Sequence, residues 1–341
     1  MGARVDAELV RRGLARSRRQ AAELVAAGRV TVDGRTVAKP SLPVTDEQSV
    51  AVEQDPTDPG YASRAAFKLA GALDAITTTV PDRAPRVADA SCLDLGASTG
   101  GFTDVLLRRG ARRVVAVDVG HDQLVPALRE DPRVVVREGF NVRDLAPGDL
   151  DEAPELVVAD LSFISLRLVL PPVAAVVAPG TDLLLMVKPQ FEVGRERLGT
   201  GGVVRDPALH GRAVLDVALD AAGLGLRPLG VIPSPLPGPS GNREFFVWLR
   251  AVEAPAPVDR EALAHAVEHA VSSAVSTVPV VATVDEPADA PGVAHVTSPA
   301  PPRGVADLTD SQPDPQPAPD DGAPTQDHGA AADRRPTGGA Q

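Results

Sequence analysis

The chain has 341 residues, which suggests two domains at about 150 residues per domain. Its composition, 43% apolar and 23% charged, is ordinary for a soluble globular protein. The net charge of -12 is concentrated at one end: residues 251–341 carry 4 basic and 14 acidic side chains, whereas residues 1–250 carry 30 and 32. The overall acidity therefore says little about what the folded part of the chain binds.

Several classes of protein are excluded by what the sequence lacks. A single cysteine, Cys92, excludes an internal disulfide and a metal centre built on several cysteines. The first residues have no apolar core of a secretory signal. The longest apolar stretch, residues 168–187, contains Pro171, Pro172 and Asp182 and therefore does not match a membrane span. We predict a cytoplasmic protein that does not act on membranes.

Residues 1–54 are predicted to form a small basic domain of two helices and a sheet. The second helix runs from Ser17 through Ala27, and Asp33-Gly34 between β-formers favours a hairpin, with residues 48–53 as a further strand. Arginines cluster at the helix junction without acids between them, and we interpret them as a surface for the phosphates of structured RNA. The alternative is a solvated basic surface. The predicted RNA-binding residues are Arg4, Arg11, Arg12, Arg16, Arg18, Arg19 and Arg64.

After a linker at residues 55–60, residues 61–278 are predicted to form one α/β domain. Apolar strand candidates alternate with stretches long enough for crossover helices, which indicates an open, mainly parallel sheet. The candidates are residues 92–95, 113–118, 134–137, 155–160, 182–188 and 245–249. A last helix is predicted from Asp259 to about Thr277. Residues 279–341 are rich in Pro, Ala and Asp and are predicted to be a disordered tail.

A glycine-rich turn follows the first strand of this domain. Glycines let a backbone approach a ligand closely, and the amides at a helix N-terminus favour a polar or anionic group. The spacing of Gly96, Gly100 and Gly101 does not match the dinucleotide fingerprint. Asp118 ends the second strand, where an acid can bind the hydroxyls of a ribose. The glycine-rich turn and Asp118 together predict an adenosine-containing ligand. The alternative is a tight turn beside a surface aspartate.

Two lysines and two acids are predicted to converge beside this turn. Asp160 and Lys188 each end an apolar strand, and ligands of open α/β sheets bind outside the carboxyl ends of the strands. Lys68 lies ahead of the sheet, in Ser-Arg-Ala-Ala-Phe-Lys-Leu, and Glu244 lies in Gly-Asn-Arg-Glu-Phe-Phe. Each residue alone is more often part of a structural ion pair. Their convergence beside a ligand turn favours a functional site.

These motifs resemble, in the same order, those of the TlyA family, which comprises S-adenosylmethionine-dependent ribosomal RNA 2′-O-methyltransferases also labelled haemolysin A. The resemblance covers about residues 3–275. Residues 4–18 resemble the family's S4 RNA-binding domain and residues 94–104 its methionine-binding loop; the motifs that begin at Asp160, Lys188, Gly201 and Gly241 are similarly close. The implied fold is an S4-like α+β domain followed by a Rossmann-like, FtsJ-like class I methyltransferase domain.

The resemblance also implies roles for individual residues. Lys68, Asp160, Lys188 and Glu244 would form a catalytic tetrad in which Lys188 accepts the proton of a ribose 2′-hydroxyl. S-adenosylmethionine would contact Asp94, Gly96, Ala97, Ser98, Gly100, Gly101, Phe102, Asp118, Asn141 and Asp160. The implied substrate is cytidine in 16S and 23S ribosomal RNA of the ribosomal subunits, with an effect on capreomycin susceptibility. No metal is implied, and a monomer is favoured.

The linker departs from the pattern of mycobacterial relatives. Those proteins have Arg-x-Trp-Val at a place tied to cofactor binding and domain coupling, where this chain reads Pro59-Gly-Tyr-Ala62. Tyr61 is expected to take the place of the tryptophan. A milder change is Ser63-Arg-Ala65, where the family has Ser-Arg-Gly.

Other interpretations remain open. A membrane-lytic protein, as the haemolysin label suggests, requires a membrane-inserting segment that is not visible in the sequence. An RNA chaperone that binds the cofactor without catalysis predicts RNA binding that is unaffected by Lys188→Ala. His265-Ala-Val-Glu-His269 matches a zinc pattern, but it lacks a third ligand in folded chain, so a solvated helix face is the favoured interpretation.

Overall fold

The computed structural model describes residues 2–15, 18–53, 59–199, 201–255, 257–274 and 281–284. The N-terminal domain packs its helices and short strands around a core that includes Val5, Leu9, Val25 and Val30. Its elements are β1 (Ala3–Arg4), α1 (Val5–Arg11), α2 (Arg18–Ala26), β2 (Val30–Val32), β3 (Arg35–Thr36), β4 (Pro43–Val44) and β5 (Val50–Val52).

The predicted hairpin and the further strand are confirmed. Asp33 and Gly34 have φ angles of 49° and 75°, the left-handed conformations that a two-residue turn between twisted strands requires. They connect β2 to β3, and β5 pairs antiparallel with the other side of β2.

The second domain is built on an eight-stranded sheet flanked by helices. Its helices are α3 (Ala66–Thr79), α4 (Gly101–Arg108), α5 (Pro126–Arg129), α6 (Leu170–Val176), α7 (Pro189–Glu192), α8 (Pro207–Gly223) and α9 (Arg260–Ser273). Its strands are β6 (Ser91–Leu95), β7 (Arg113–Val117), β8 (Val134–Arg137), β9 (Leu156–Ala159), β10 (Asp182–Val187), β11 (Leu226–Pro233), β12 (Phe245–Ala251) and β13 (Ala282–Thr283).

The strand order is β13-β11-β12-β10-β9-β6-β7-β8. The five strands from β10 to β8 are parallel, whereas β12, β11 and β13 are antiparallel to their neighbours. Strand residues alternate between two apolar cores, one under α3 and α4 and the other under α8 and α9. The mainly parallel α/β sheet is confirmed, and each of the six predicted strands is present to within two residues.

Two parts of the sheet differ from the prediction. Strand β11 was not predicted, because Pro228, Gly230 and Pro233 interrupt its pattern; the register shifts between Pro228 and Gly230, which accommodates the break. The boundary of the predicted tail at residue 279 is also wrong. Residues 281–284 are in part a strand that pairs with β11, since Val281, Ala282 and Val284 are buried there. The rest of residues 279–341 lies outside the described residues.

The sheet brings the charged residues of the four motifs to one edge. Asp160 and Lys188 directly follow β9 and β10 at their carboxyl ends. Because β12 is antiparallel to β10 and Phe245 is opposite Val187, Glu244 lies beside Lys188 at the same edge. Lys68 comes from the first turn of α3.

Candidate active site

The four charged side chains that the sequence singles out meet in one cluster. Lys188 Nζ lies 2.7 Å from Asp160 Oδ1 and donates a 2.8 Å hydrogen bond to Ser162 Oγ. Lys68 Nζ lies 2.6 Å from Glu244 Oε2 and 4.0 Å from Asp160 Oδ2. Asp160 therefore connects two lysine–carboxylate pairs.

This cluster is shielded from water. The exposed fraction of the side chain is 9% for Lys68, 14% for Asp160, 7% for Lys188 and 0% for Glu244. Two positive and two negative charges balance one another, as buried ions require. A Cβ atom on Gly238 would lie 2.1 Å from Glu244 Oε1, so the absence of a side chain at this position leaves room for the carboxylate.

The glycine-rich turn packs tightly against the elements that carry the cluster. Gly96 has a φ of 85°, and a Cβ there would lie 3.1 Å from the backbone oxygen of Asp160. A Cβ on Gly101 would lie 2.2 Å from Ser63 Oγ and 3.0 Å from the backbone nitrogen of Ala66. The turn thus needs glycine both for its conformation and for the close approach of its neighbours.

Asp118 fixes the conformation of this turn. Its Oδ2 accepts a 2.8 Å hydrogen bond from the backbone nitrogen of Ser98, whose φ is 47°, and its Oδ1 accepts a 2.7 Å bond from that of Gly120. Each carboxylate oxygen can accept a second hydrogen bond. Asp118 can therefore also receive hydroxyl groups of a ligand.

Three cavities meet at the lysine–carboxylate cluster. The Asp118 cavity, of about 410 Å³, is bordered by Gly96, Ser98, Asp118, Val119, Gln123, Phe140, Asn141, Val142 and residues 160–164. The Lys68 cavity, of about 210 Å³, is bordered by Ser63, Ala65, Lys68, Gly96, Ala97, Ser98, Thr99, Gly101, Phe102, Asp160, Ser162 and Lys188. The Gln190 cavity, of about 520 Å³, is bordered by residues 162–165, Lys188, Gln190, Phe191, Gly194, Arg195, Leu198, Gly201, Gly202, Ser240, Asn242 and Glu244.

Two residues mark the junction of these cavities. Ser162 borders all three, and Lys188 borders both the Lys68 cavity and the Gln190 cavity. A buried amine thus stands between two spaces that could hold two different reactants.

Two of the predicted cofactor residues lie behind the cavity walls. Asp94 is fully buried; its Oδ2 accepts a 2.7 Å hydrogen bond from Thr103 Oγ1, and its Oδ1 has no partner among the residues described. Burial raises the pKa of the Asp94 carboxyl to about 7. Gly100, with a φ of 94°, shapes the turn ahead of α4 and faces Leu124 and Leu128. The other predicted cofactor residues border the Asp118 or Lys68 cavity.

Sequence reasoning missed Ser162, Ser63 and Gln190 as residues of the site. Ser162 lies two positions after Asp160 and Gln190 two positions after Lys188, so the same motifs contained both. Ser63 follows the linker, and only the fold brings it to Gly101.

The linker is held on α4, the helix that begins with the glycine-rich turn. Arg108 donates hydrogen bonds of 2.6 and 3.0 Å to the carbonyls of residues 59 and 60, and its guanidinium lies 5.0 Å from the centre of the Tyr61 ring. Asp104 Oδ2 accepts a 2.8 Å bond from the backbone nitrogen of Ala62. We call these contacts the Arg108 clamp.

The predicted arginine surface of the N-terminal domain contains acids, contrary to the expectation. Glu8 is 2% exposed and forms ion pairs with Arg11 and Arg12, and Asp6 is 5% exposed and pairs with Arg4 and Arg18. The guanidinium groups hold the pKa of both carboxyls down to about 2. The pairs of Glu8 with Arg11 and Arg12 depend on helical spacing, and the pair of Asp6 with Arg18 depends on chain reversal, so the sequence alone did not show them.

The arginines of this surface differ in exposure. The side chains of Arg4, Arg11 and Arg18 are 51%, 59% and 61% exposed, whereas that of Arg12 is 21% exposed and also donates to the backbone oxygen of Gln48. Arg64 is exposed as well. Arg16 and the side chain of Arg19 lie outside the described part of the chain. Of the five predicted arginines whose side chains the structure describes, Arg4, Arg11, Arg18 and Arg64 are therefore exposed.

The structure also describes the sequence features considered for a zinc site, a reactive cysteine and a membrane-inserting segment. His265, Glu268 and His269 are exposed on α9, and no three metal-ligating side chains cluster within the described ranges. Cys92 is fully buried in β6, and burial raises the pKa of its thiol to about 12. In the same ranges, no helix is both long enough and apolar enough to cross a membrane.

Comparisons with known proteins show which family this chain resembles. Residues 61–251 match the FtsJ-like methyltransferase family and residues 3–50 match the S4 domain. The 16S/23S rRNA (cytidine-2′-O)-methyltransferase TlyA of Mycobacterium tuberculosis is 52% identical over 81% of this chain and 98% of its own length. Hemolysin A of Brachyspira hyodysenteriae is 35% identical over 71% of this chain and 98% of its own.

The chain belongs to the TlyA family of FtsJ-like methyltransferases. A solved structure from Streptococcus thermophilus, which carries a hemolysin name, is 35% identical and has a TM-score of 0.63 over 81% of this chain and 96% of its own. Hemolysin names thus occur within the TlyA family. Membership makes the chain a methyltransferase and implies S-adenosylmethionine as the methyl donor and RNA as the substrate.

Proposed function

We propose that this TlyA-family protein methylates the 2′-oxygen of cytidine in 16S and 23S ribosomal RNA, in the cytoplasm. The observation that carries the proposal is the position of the Lys188 amine, which stands between the Lys68 cavity and the Gln190 cavity. The Lys68 cavity adjoins the glycine-rich turn that is predicted to bind the cofactor. The Gln190 cavity leaves room for the nucleoside that would accept the methyl group. The M. tuberculosis relative is named for this reaction and is 52% identical.

The Asp118 and Lys68 cavities fit S-adenosylmethionine. Asp118 can accept the hydroxyls of its ribose, and Asn141 and Val142 border the same cavity where an adenine would lie. The amides of the glycine-rich turn, with Gly96 and Gly101, line the space beside Lys68 for the methionine part. When bound, S-adenosylmethionine supplies a methyl group whose bonding pair stays on sulfur, so that the acceptor oxygen provides both electrons of the new bond.

The four residues of the tetrad would then take up the proton of the 2′-hydroxyl that accepts the methyl group. In its neutral form Lys188 Nζ accepts the proton of the 2′-hydroxyl, while Asp160 and Ser162, at 2.7 and 2.8 Å, hold the amine in one orientation. The pair of Lys68 and Glu244 fixes the far side of Asp160. Most of the remaining acceleration comes from holding two reactants on either side of one amine.

Transfer of tritiated methyl to unmodified ribosomal subunits tests the proposal. We expect labelling of both 30S and 50S subunits that lack the modification. RNA binding without labelling would contradict it and favour the non-catalytic chaperone. Leakage from liposomes without labelling of either subunit would favour the membrane-lytic alternative.

The exposed arginines of residues 1–54 are proposed to dock the RNA. Replacing Arg11 and Arg18 together with glutamine should weaken RNA binding, because each contact with a phosphate releases counterions. Each substitution leaves its buried carboxylate one partner, Arg12 for Glu8 and Arg4 for Asp6. The slope of log affinity against log salt should fall by about 1.5 for the two contacts, measured by filter binding at several salt concentrations.

A matched control is Arg212→Gln on α8, whose side chain is 68% exposed and pairs with Asp216. We expect the wild-type salt slope from this variant. An unchanged slope in the double variant would show that these arginines do not contact RNA.

The Arg108 clamp is proposed to hold the cofactor turn in place. Arg108→Ala removes both bonds to the linker carbonyls and the contact with Tyr61, so we expect the Kd for S-adenosylmethionine to rise about tenfold in calorimetry. The neighbouring Arg109→Ala, which removes the pair with Asp74 and a bond to the backbone oxygen of Ala70 but no contact with the linker, is the control and should change the Kd less. Equal Kd values in both variants would contradict a role for the clamp.

A further inference from the structure

Two aromatic rings border the Gln190 cavity, and that of Phe163 is exposed enough for a base to stack on it. Phe163 and Phe191 border the cavity with their ring centres 5.4 Å apart, and Phe163 is 91% exposed with a φ of 64°. Lys188 borders the same cavity, so a nucleoside whose 2′-hydroxyl reached Lys188 would place its base in this space.

Several polar side chains of this cavity already have partners. Ser165 Oγ donates a 2.6 Å hydrogen bond to Glu192. Both ends of the Asn242 amide are engaged, since Oδ1 accepts from the backbone nitrogen of Val204 at 3.1 Å and Nδ2 donates to the backbone oxygen of Gly202 at 3.2 Å. These groups shape the wall and have little capacity left for a base.

Two side-chain oxygen atoms of residues that border this cavity, in contrast, have no hydrogen-bond partner among the residues described. These atoms, Gln190 Oε1 and Glu244 Oε1, are buried. Both are acceptors, and an unpaired buried acceptor carries a free-energy cost that a donor on a ligand would remove.

We propose that Gln190 Oε1 accepts a hydrogen bond from the exocyclic amino group of the target base and thereby selects cytosine over uracil. Cytosine presents an amino donor at position 4, where uracil presents a carbonyl acceptor. A carbonyl at that position would face the amide oxygen of Gln190 without a proton between the two atoms. The inference rests on the proposed function, because it presumes that the acceptor nucleoside enters this cavity.

Single-turnover methylation of one RNA with three different target bases tests the inference. The probes are an rRNA fragment with cytidine at the position that the protein methylates, the same RNA with uridine there, and the same RNA with 2-pyrimidinone riboside, which lacks the amino group. We expect wild type to prefer cytidine over either analogue by at least about tenfold. In Gln190→Leu the rate on cytidine should fall toward that on 2-pyrimidinone, and the preference should disappear.

Two further variants make the test specific. Gln190→Glu keeps an acceptor at the same place and should retain the preference for cytidine. Ser165→Ala, on the same cavity wall, removes a hydroxyl that already serves Glu192 and should keep the wild-type ratio whatever its absolute rate. Calorimetry with S-adenosylmethionine verifies that each variant is folded and binds the cofactor.

The outcomes separate the inference from the proposed function. A wild-type preference that persists in Gln190→Leu, or is lost in Gln190→Glu, would overturn the role of Gln190 while leaving methyl transfer intact. Absence of labelling by wild type on every RNA would overturn the proposed function and this inference with it.

Discussion

Replacing Lys188 with alanine is expected to lower the single-turnover rate of methyl transfer by about 10²- to 10⁴-fold, the usual contribution of a positioned general base. The amine is the proposed proton acceptor, and its partners Asp160 and Ser162 cannot replace it at the same position. The Kd for S-adenosylmethionine should stay within a few-fold of wild type, because Asp118 and the glycine-rich turn remain. Rapid-quench assays with tritiated methyl and calorimetry measure the two quantities.

Lys188→Arg serves as the matched control for charge. A guanidinium keeps the positive charge beside Asp160, but it does not lose a proton in proteins and therefore cannot act as the base. We expect it to be nearly as inactive as alanine. An active Lys188→Arg variant would show that the residue contributes charge rather than proton transfer, and would contradict the assigned role.

Replacing Asp118 with alanine is expected to raise the Kd for S-adenosylmethionine by about 100-fold, which is nearly 3 kcal/mol. The carboxylate would lose its proposed bonds to the ribose of the ligand, and the turn would lose the bonds from Asp118 to the backbone nitrogens of Ser98 and Gly120. Ser98 holds a left-handed φ of 47° that a non-glycine residue rarely adopts without such support. Calorimetric titration of the full chain checks the prediction.

Two variants distinguish the causes of this loss. Asp118→Asn keeps one acceptor oxygen and should give an intermediate Kd. Asp122→Asn removes an exposed negative charge from the same loop and should leave the Kd close to wild type. If the two asparagine variants weaken binding equally, the effect comes from the charge of the loop and not from the bonds of Asp118.

The strands of the parallel sheet could be predicted because their sequences are apolar on both faces and end in charged residues. Asp160 and Lys188 were identified in this way, and the fold places them where the pattern requires. Lys68 and Glu244 were singled out with them although neither ends a parallel strand, and only the resemblance to a known family implied that the four residues form a catalytic tetrad. What remained hidden depends on contacts between distant segments, such as the approach of Ser63 to Gly101.

Other features were hidden because local composition was misleading. Prolines and a glycine masked β11, which tolerates them through a register shift. Val281 to Val284 are a short apolar stretch inside a proline-rich region, and only pairing with β11 makes part of it a strand. The buried acids Asp6 and Glu8 were overlooked beside the arginines that neutralise them.

The most direct test of the central claim is the identity of the methylated nucleoside. Unmodified 16S and 23S RNA would be incubated, as ribosomal subunits, with the protein and S-adenosylmethionine, digested to nucleosides and analysed by mass spectrometry, with Lys188→Ala as the reference. The account predicts 2′-O-methylcytidine in the wild-type reaction and none from the variant. Methyl groups on a base or on another nucleoside, or equal yields from both proteins, would contradict it.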